Sequence, residues 1–254
     1  MDLYKELAAM RCFTREELAK LLGSDSAAGW QIRKFLEKGY IERVRRDLYV
    51  VISLETGQPI PNRFRIASGV AADACVSHHS AFEYYGCANQ VFYEMYVATV
   101  KRVRPFSYDG IDYCPVNCRG AEGITEAGNG VRVTSLERTV IDSIADFEKI
   151  GGLEELLRCM LLIPSLSSEH LLSALDLYHC RKLYQKTGYI LEIFQKDLGL
   201  PDSFFDECEK HLTGSKTYFS EEKNGFVFHK RWRLFAPKDL RAVVDKGANS
   251  YDAV

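Results

Sequence analysis

The sequence lacks an apolar run of the ~20 residues needed to cross a bilayer. Its first residues, MDLYKELAAMRCF, are charged and helix-like, without the apolar centre of a signal peptide. Its 8 cysteines are irregularly spaced and too sparse for a disulfide scaffold. These absences argue against a membrane-spanning or disulfide-rich protein, and we expect a cytoplasmic protein with reduced, mostly buried thiols.

Signatures of catalysis and of cofactor binding are also missing. There is no phosphate-binding Gly-rich loop, no dinucleotide fingerprint and no G-x-S-x-G nucleophile elbow. Cys114 and Cys118 have a spacing seen in some zinc sites, but no matching second Cys/His pair follows. His78 and His79 are adjacent, so on a helix they diverge by about 100° and do not readily share one metal. We therefore expect no enzyme, no cofactor and no metal.

An overall positive charge is absent as well, since 33 Lys and Arg stand against 35 Asp and Glu. Any surface for nucleic acid must therefore be a local patch. What the sequence does have is 46% hydrophobic residues, enough for a packed core. Its 254 residues allow one large or two modest domains, at roughly 100–200 residues each.

The first 55 residues carry the clearest pattern. Apolar spacing predicts a short first helix, and Thr14 with Glu17 forms a capping box that begins a second. A third helix is predicted between Ser24 and Gly39, and two strands, Ile41–Val44 and Leu48–Ile52, follow it. Three helices and a hairpin in this order are typical of a winged helix, a helix-turn-helix variant whose third helix lies in the DNA major groove.

A basic patch is predicted on this domain. Between Trp30 and Val50 six Lys and Arg residues stand against three acidic ones. Arg side chains on the hairpin suit phosphate oxygens, and the exposed face of the third helix suits base edges. A solvated hairpin that serves only protein contacts is the alternative, and Trp30 suits either DNA or the following domain. The candidate DNA-binding residues are Ser26, Trp30, Gln31, Arg33, Lys34, Arg43, Arg45 and Arg46.

The remainder of the chain mixes helical and strand patterns. Turn-forming residues predict a linker at 56–65, between a winged helix-turn-helix domain (1–55) and a larger domain (66–254). In the larger domain a hairpin is predicted at Asp109-Gly110, and Arg138 and Asp142 are spaced to pair on one helix. The predicted fold class is α+β, an N-terminal winged helix-turn-helix domain followed by a larger mixed α/β domain.

A candidate second basic surface lies in the segment HKRWRLF. Lys230, Arg231 and Arg233 are interleaved there with Trp232 and Phe235. Alternation along a strand predicts that Trp232 points into the core and the arginines point outward. The outward face either meets solvent, extends the DNA footprint or contacts a partner protein.

Four segments in order resemble the AbiEi-type antitoxins of bacterial abortive-infection toxin–antitoxin pairs. They are the winged helix, SHHSAFEYYG, VTSLERTVIDSI…GGLEELL and KTGYILE, and the likeness covers about residues 3–237. It rests on the order of packing and capping patterns, without a catalytic signature. The family wing usually turns through Gly, whereas this chain has Asp47, a residue that tolerates the left-handed conformation.

The resemblance implies a bacterial antitoxin and transcriptional autorepressor. Its winged helix would bind operator DNA, and its C-terminal domain would neutralise a nucleotidyltransferase-like toxin, by direct or indirect means. Self-association on DNA is left open. The alternative is a winged-helix regulator whose second domain senses a small ligand. A nuclease fused to a DNA reader is least favoured, because no clustered carboxylate–lysine motif is present.

Overall fold

The computed structural model describes residues 3–212, 214–220 and 225–242. Its contacts divide the chain into two compact units. The first holds the described residues up to Ser80 together with 92–118 and 124–134, and the second holds the others. The winged helix and a larger sheet therefore share one unit, and the boundaries at 55 and 65 stay a prediction.

The winged helix at the start of the first unit has the predicted order, with one added strand. Its elements are α1 (Leu3–Met10), β1 (Cys12–Thr14), α2 (Arg15–Leu22), α3 (Asp25–Glu37), β2 (Ile41–Arg45) and β3 (Leu48–Val51). The sheet order is β1-β3-β2, with both pairs antiparallel. The short strand β1 was not predicted, because three residues show no periodicity and only pairing with β3 defines them.

Local signals in the sequence explain where these helices begin and end. The Glu17 amide donates to Thr14 Oγ1 at 3.2 Å, and the Glu17 carboxylate accepts from the Thr14 amide at 2.7 Å. This capping box begins α2, and Gly23 ends it with a φ of 68° that favours glycine. Ser24 caps α3 by accepting from the Ala27 amide at 3.3 Å. The predicted boundaries of both helices are confirmed.

The rest of the first unit is a six-stranded mixed sheet with one helix. Its elements are α4 (Arg63–Gly69), β4 (Cys75–Val76), β5 (Glu94–Thr99), β6 (Phe106–Tyr108), β7 (Ile111–Asn117), β8 (Ile124–Ala127) and β9 (Val131–Thr134). The order is β6-β7-β5-β4-β9-β8, with β5–β7 and β4–β9 parallel and the other pairs antiparallel. The predicted hairpin at Asp109-Gly110 joins β6 to β7, and both residues have positive φ.

The second unit is mainly helical. Its helices are α5 (His78–Tyr85, which begins in the first unit), α6 (Leu136–Ala145), α7 (Leu153–Leu162), α8 (Ser168–Asp176), α9 (Arg181–Ile193) and α10 (Asp202–Lys210), and its strands are β10 (Thr217–Tyr218), β11 (Phe226–His229) and β12 (Leu234–Pro237). The strands form a sheet of order β10-β12-β11. Over the ranges that the structure describes, no helix is long and apolar enough to cross a bilayer. The protein is α+β, as predicted.

The predicted pair on α6 is a buried ion pair. Arg138 Nε donates to Asp142 Oδ1 at 2.8 Å, and both side chains are buried. The Tyr178 hydroxyl donates to the same Asp142 oxygen at 2.6 Å, and Arg138 also donates to the Glu122 carbonyl at 2.9 Å. Burial and the adjacent carboxylate raise the pKa of Tyr178. Because these charges hold one another in place, we assign the group a structural role.

Candidate nucleic-acid interface

Helix α3 presents a mixed polar and aromatic face to solvent. Its opposite face is buried through Ala28, Ile32 and Phe35, which pack in the core of the winged helix. On the exposed face Trp30 is 54% accessible, so its indole is not packed in a core. Lys34 Nζ lies 4.7 Å from the centroid of the Trp30 ring, a cation–π contact that holds both side chains on this face.

The other predicted residues of α3 surround this pair. Ser26 and Arg33 are exposed, whereas Gln31 is half-buried at the edge of the face. At about 100° per residue, Ser26, Trp30, Arg33 and Lys34 fall within one third of the helix circumference, and Gln31 lies beside them. The structure therefore brings together the predicted side chains of the third helix.

The start of α2 joins the start of α3 to the turn of the hairpin. The Arg15 guanidinium donates twice to the Asp25 carboxylate, at 2.9 and 2.7 Å. The Arg15 amide donates to the Asp47 carbonyl at 3.3 Å. Asp47 has a φ of 61°, so it takes the left-handed conformation expected of it at the turn. The N-terminal end of α3, from which such helices contact bases, thus lies on the side of the wing tip.

The three arginines of the wing have different surroundings. Arg46 has a side chain 93% accessible, at 3.4 Å from the exposed Asp47 carboxylate, a pair that contributes little to stability. Arg43 is exposed and lies 5.7 Å from the Tyr49 ring. Arg45 instead lies over Phe106 of β6, 5.3 Å from the ring centroid, and its buried Nη1 has no hydrogen-bond partner in the described part of the chain. Arg43 and Arg46 are therefore the two wing arginines open to solvent.

One of the three cations of the candidate second basic surface is neutralised within its own unit. Arg231 forms ion pairs with Glu192 and with Glu209, the latter at 2.6 Å. Trp232 is buried, as predicted, and its indole N–H donates to Glu192 at 2.6 Å. The predicted strand is wrong for residues 230–233, which form the turn between β11 and β12. Arg233 donates to the Gly214 carbonyl. Lys230 and Arg233 are both exposed, and neither forms an ion pair within residues 3–212, 214–220 and 225–242.

The histidines and cysteines weighed as metal ligands have other contacts. His78 Nδ1 lies 3.0 Å from Ser77 Oγ, and the His79 ring stacks on Phe92 at 3.7 Å between centroids. Cys114 lies on β7 and Cys118 just beyond it, four residues apart, a separation of about 13 Å along an extended chain. Within the described residues no group of three or more His, Cys, Asp or Glu is placed to hold a metal ion. The absence of a metal stays a prediction.

A cleft of about 180 Å³ lies in the first unit beside the hairpin of β6 and β7. It is lined by Gln58, Pro59, Pro61, Asn62, Arg63, Ile66, Tyr108, Asp109, Ile111 and Tyr113. Pockets that bind small molecules usually have volumes of ~300–1,000 Å³. The cleft is therefore small for a ligand-sensing site.

Sequence reasoning missed one basic segment of the first unit. The loop Val100–Pro105, VKRVRP, joins β5 to β6 and carries Lys101, Arg102 and Arg104, all exposed. The run KRVR was visible in the sequence, but only the structure places it in one compact unit with the winged helix.

Three helices, an antiparallel hairpin and the exposed polar face of the third helix define a winged helix-turn-helix domain. Residues 2–52 match the family model AbiEi_4, described as "Transcriptional regulator, AbiEi antitoxin". The match confirms the AbiEi-type resemblance over this segment, and it gives the family as one of transcriptional-regulator antitoxins.

Comparisons over the whole chain add information on the fold. No curated protein matches the chain. Among solved structures, the chain is similar to "Crystal structure of RV2827C protein from Mycobacterium tuberculosis", with a TM-score of 0.62 and 14% sequence identity. The similarity covers 97% of this chain and 93% of that chain. At this identity it shows a shared fold alone.

Proposed function

We propose that the protein is the antitoxin of a bacterial toxin–antitoxin pair and the repressor of its own operon. The observation that supports this most directly is the exposed polar face of α3 beside the arginines of the wing, in a domain that matches the AbiEi antitoxin model. The role needs no catalytic step. It places the protein in the bacterial cytoplasm, where operator DNA is found.

In this proposal the winged helix binds promoter DNA through two kinds of contact. Helix α3 enters the major groove, where Lys34 and Gln31 reach base edges and Trp30 contacts sugar or base. Arg43 and Arg46 on the wing lie along the phosphate backbone, which sets affinity and register without reading sequence. The −2 net charge of the chain makes this local patch the main electrostatic attraction for DNA.

The partner in neutralisation is a nucleotidyltransferase-like toxin, as the resemblance implies. The support for this partner is the match of the N-terminal segment to a family of antitoxins. The mainly helical second unit supplies a large surface outside the winged helix, which suits protein contact. The alternative is a winged-helix regulator whose second domain senses a small ligand.

The test combines a promoter reporter with rescue of cells that express the toxin encoded beside this gene. Full-length variants are compared, one with Lys34→Ala, Arg43→Ala and Arg46→Ala, and a control with Arg181→Ala, Lys182→Ala and Lys196→Ala. The control removes the same charge from exposed residues of the second unit. We expect the first variant to lose repression and keep rescue, and the control to keep repression. Wild-type protein that neither represses nor rescues would refute the proposal.

A further inference from the structure

We propose that the loop Val100–Pro105 is a second phosphate-binding element, which extends the DNA footprint of the winged helix beyond the tip of its wing. The inference rests on the proposed function, because it assumes that the winged helix binds duplex DNA. It adds a contact surface outside the segment that matches the family model, which ends at residue 52.

Two contacts place this loop at the tip of the wing. Arg45 at the end of β2 lies over Phe106 at the start of β6, and the Tyr108 hydroxyl at the end of β6 donates to Glu42 of β2 at 2.8 Å. The two strands therefore run alongside each other in opposite directions. The loop that precedes β6 consequently emerges where β2 reaches the turn, and Arg104 lies within about 7 Å of Phe106 along the chain.

A longer-range electrostatic interaction is consistent with the same position. Lys20 holds the pKa of the Glu16 carboxyl below its usual range by a hydrogen bond and its charge, and Lys101 acts in the same direction from the loop. Glu16 lies in the first turn of α2, next to the Arg15 amide that donates to the Asp47 carbonyl. The loop, the start of α2 and the wing tip are therefore neighbours.

The base of the loop is fixed by hydrogen bonds. The Thr99 hydroxyl and the Val100 amide both donate to Asp73 Oδ2, at 2.9 and 2.6 Å. The Lys101 amide donates to Thr99 Oγ1 at 3.1 Å. A loop held in this way presents its cations with less entropy to lose on binding than a free tail has.

The charges of the loop are available to a polyanion. No acidic residue occurs between Val100 and Tyr108, and Lys101, Arg102 and Arg104 form no ion pair in the part of the chain that the structure describes. Asp73 and Glu16 partly balance Lys101, which leaves Arg102 and Arg104 as the stronger candidates. Arg45 is engaged with Phe106, so the exposed cations next to this end of the wing are those of the loop.

Duplex DNA fits this surface better than a protein partner does. The loop adds exposed cations beside the end of the wing, and a phosphate backbone presents evenly spaced negative charge that can reach both. Arginine also binds phosphate oxygens in a bidentate manner. The loop therefore extends binding that does not depend on sequence, while α3 provides discrimination.

The test measures the affinity of full-length protein for the promoter fragment of its own gene and for a short duplex of random sequence, across salt concentrations. The loop variant carries Lys101→Gln, Arg102→Gln and Arg104→Gln. The control carries Arg181→Gln, Lys182→Gln and Lys196→Gln, which removes the same charge. A third variant, with Lys101→Arg, Arg102→Lys and Arg104→Lys, keeps the loop charge.

We expect the loop variant to bind both duplexes at least about tenfold more weakly, with the plot of log K against log salt flattened by ~0.9 per lost contact. The ratio between promoter and random duplex should stay unchanged. The control and the charge-retaining variant should bind as the wild type does, and thermal unfolding should show that all variants are folded.

The results separate this inference from the proposed function. If the wild type binds DNA and the wing variant Arg43→Ala, Arg46→Ala weakens binding, but the loop variant equals the control, the inference is wrong and the proposed function stands. If the loop variant loses toxin binding and keeps its affinity for DNA, the loop is a protein contact and the inference is also wrong. If the wild type binds neither duplex, both the inference and the proposed function are wrong.

Discussion

At the scale of single residues, Gly188 is placed where no side chain fits. It lies in α9, within the segment KTGYILE, and a Cβ atom built there would overlap the indole ring of the buried Trp232. The Gln185 side chain donates to the Trp232 carbonyl at 3.1 Å, and Glu192 accepts from its indole N–H. One face of α9 therefore holds this tryptophan, and the glycine supplies the space for its ring.

We predict that Gly188→Ala destabilises the fold by about 1–3 kcal/mol, because the indole or the helix must shift in a close-packed core. Thermal or urea unfolding of full-length protein measures this, with a fall in Tm of ~2–4 °C per kcal/mol. Gly128→Ala is the control, since Gly128 has open space around its Cα and an ordinary φ. Equal stability of the two variants would contradict the packing described for Trp232.

The cysteines differ in reactivity according to burial. Burial raises the pKa of Cys12 to about 12 and that of Cys208 to about 12, whereas Cys180 is exposed. We predict that alkylation of the native protein at mildly alkaline pH labels Cys180 first and leaves Cys12 and Cys208 unlabelled until unfolding. Peptide mapping by mass spectrometry detects the modified positions. Rapid labelling of Cys12 in folded protein would show that β1 opens.

The same raised pKa values set a direction for stability against pH. An unfolded thiol loses its proton near pH ~8.5, whereas the buried thiols keep theirs up to about 12. Between these values the folded state binds more protons than the unfolded state, so the two thiols make the free energy of unfolding fall as pH rises. The stabilisation that the two thiols contribute is fully present at pH values below the thiol pKa of the unfolded chain.

At the scale of elements, the wing is a hairpin with one set of side chains open to solvent and another in contact with β6. Arg43 and Arg46 are open to solvent, whereas Arg45 and Glu42 contact β6. A hairpin with one side attached to a sheet has fewer conformations than a free one. Because of this restraint, Arg43 and Arg46 lose less conformational entropy when they bind a phosphate backbone.

We predict that Arg46→Ala flattens the salt dependence of DNA binding by up to ~0.9, the contribution of one phosphate contact, and leaves Tm unchanged, because the Arg46 side chain is 93% accessible. Arg45→Ala should flatten it less and lower stability by about 0.5–1 kcal/mol, through loss of the cation–π contact with Phe106. Salt titrations followed by fluorescence anisotropy and thermal melts distinguish the two variants. An effect of Arg45→Ala on DNA as large as that of Arg46→Ala, without loss of stability, would assign Arg45 to phosphate.

At the scale of the whole molecule, polar contacts in the first unit join the winged helix to α4 and to the stretch that precedes it. The Arg65 guanidinium donates to the carbonyls of Met10 and Cys12, at 3.3 and 2.9 Å. Ile60 and Val51 are joined by a backbone hydrogen bond of 2.8 Å, within the stretch that follows the wing. The winged helix is thus anchored to residues distant in sequence, which is why variants of the full chain are the better tests.

We predict that protein purified without chelator contains well under one equivalent of zinc per chain. Cys114 and Cys118 are too far apart to share one ion, and His79 stacks on Phe92. Elemental analysis by mass spectrometry of dialysed protein checks this. One full equivalent that disappears on Cys114→Ser with Cys118→Ser would contradict the prediction.

The sequence by itself determined the winged helix, because the signals there are local. The capping box of Thr14 and Glu17, the stop at Gly23 and the turn at Asp47 each act within a few residues, so spacing alone predicted α2, α3 and the wing. The pair Arg138 and Asp142 was predictable for the same reason, as it lies within one turn of a helix.

Only the tertiary structure decided what depends on residues distant in the chain. The strands β1 and β4 are too short to show a period, and they exist because β3, β5 and β9 pair with them. Pairing across the fold also decided which cations stay open. Arg231 meets Glu192 and Glu209, and Arg45 meets Phe106, the residue that follows the basic loop Val100–Pro105. A run of charged residues in the sequence gives the number of cations. Their partners depend on long-range packing, which cannot be predicted from a local sequence pattern.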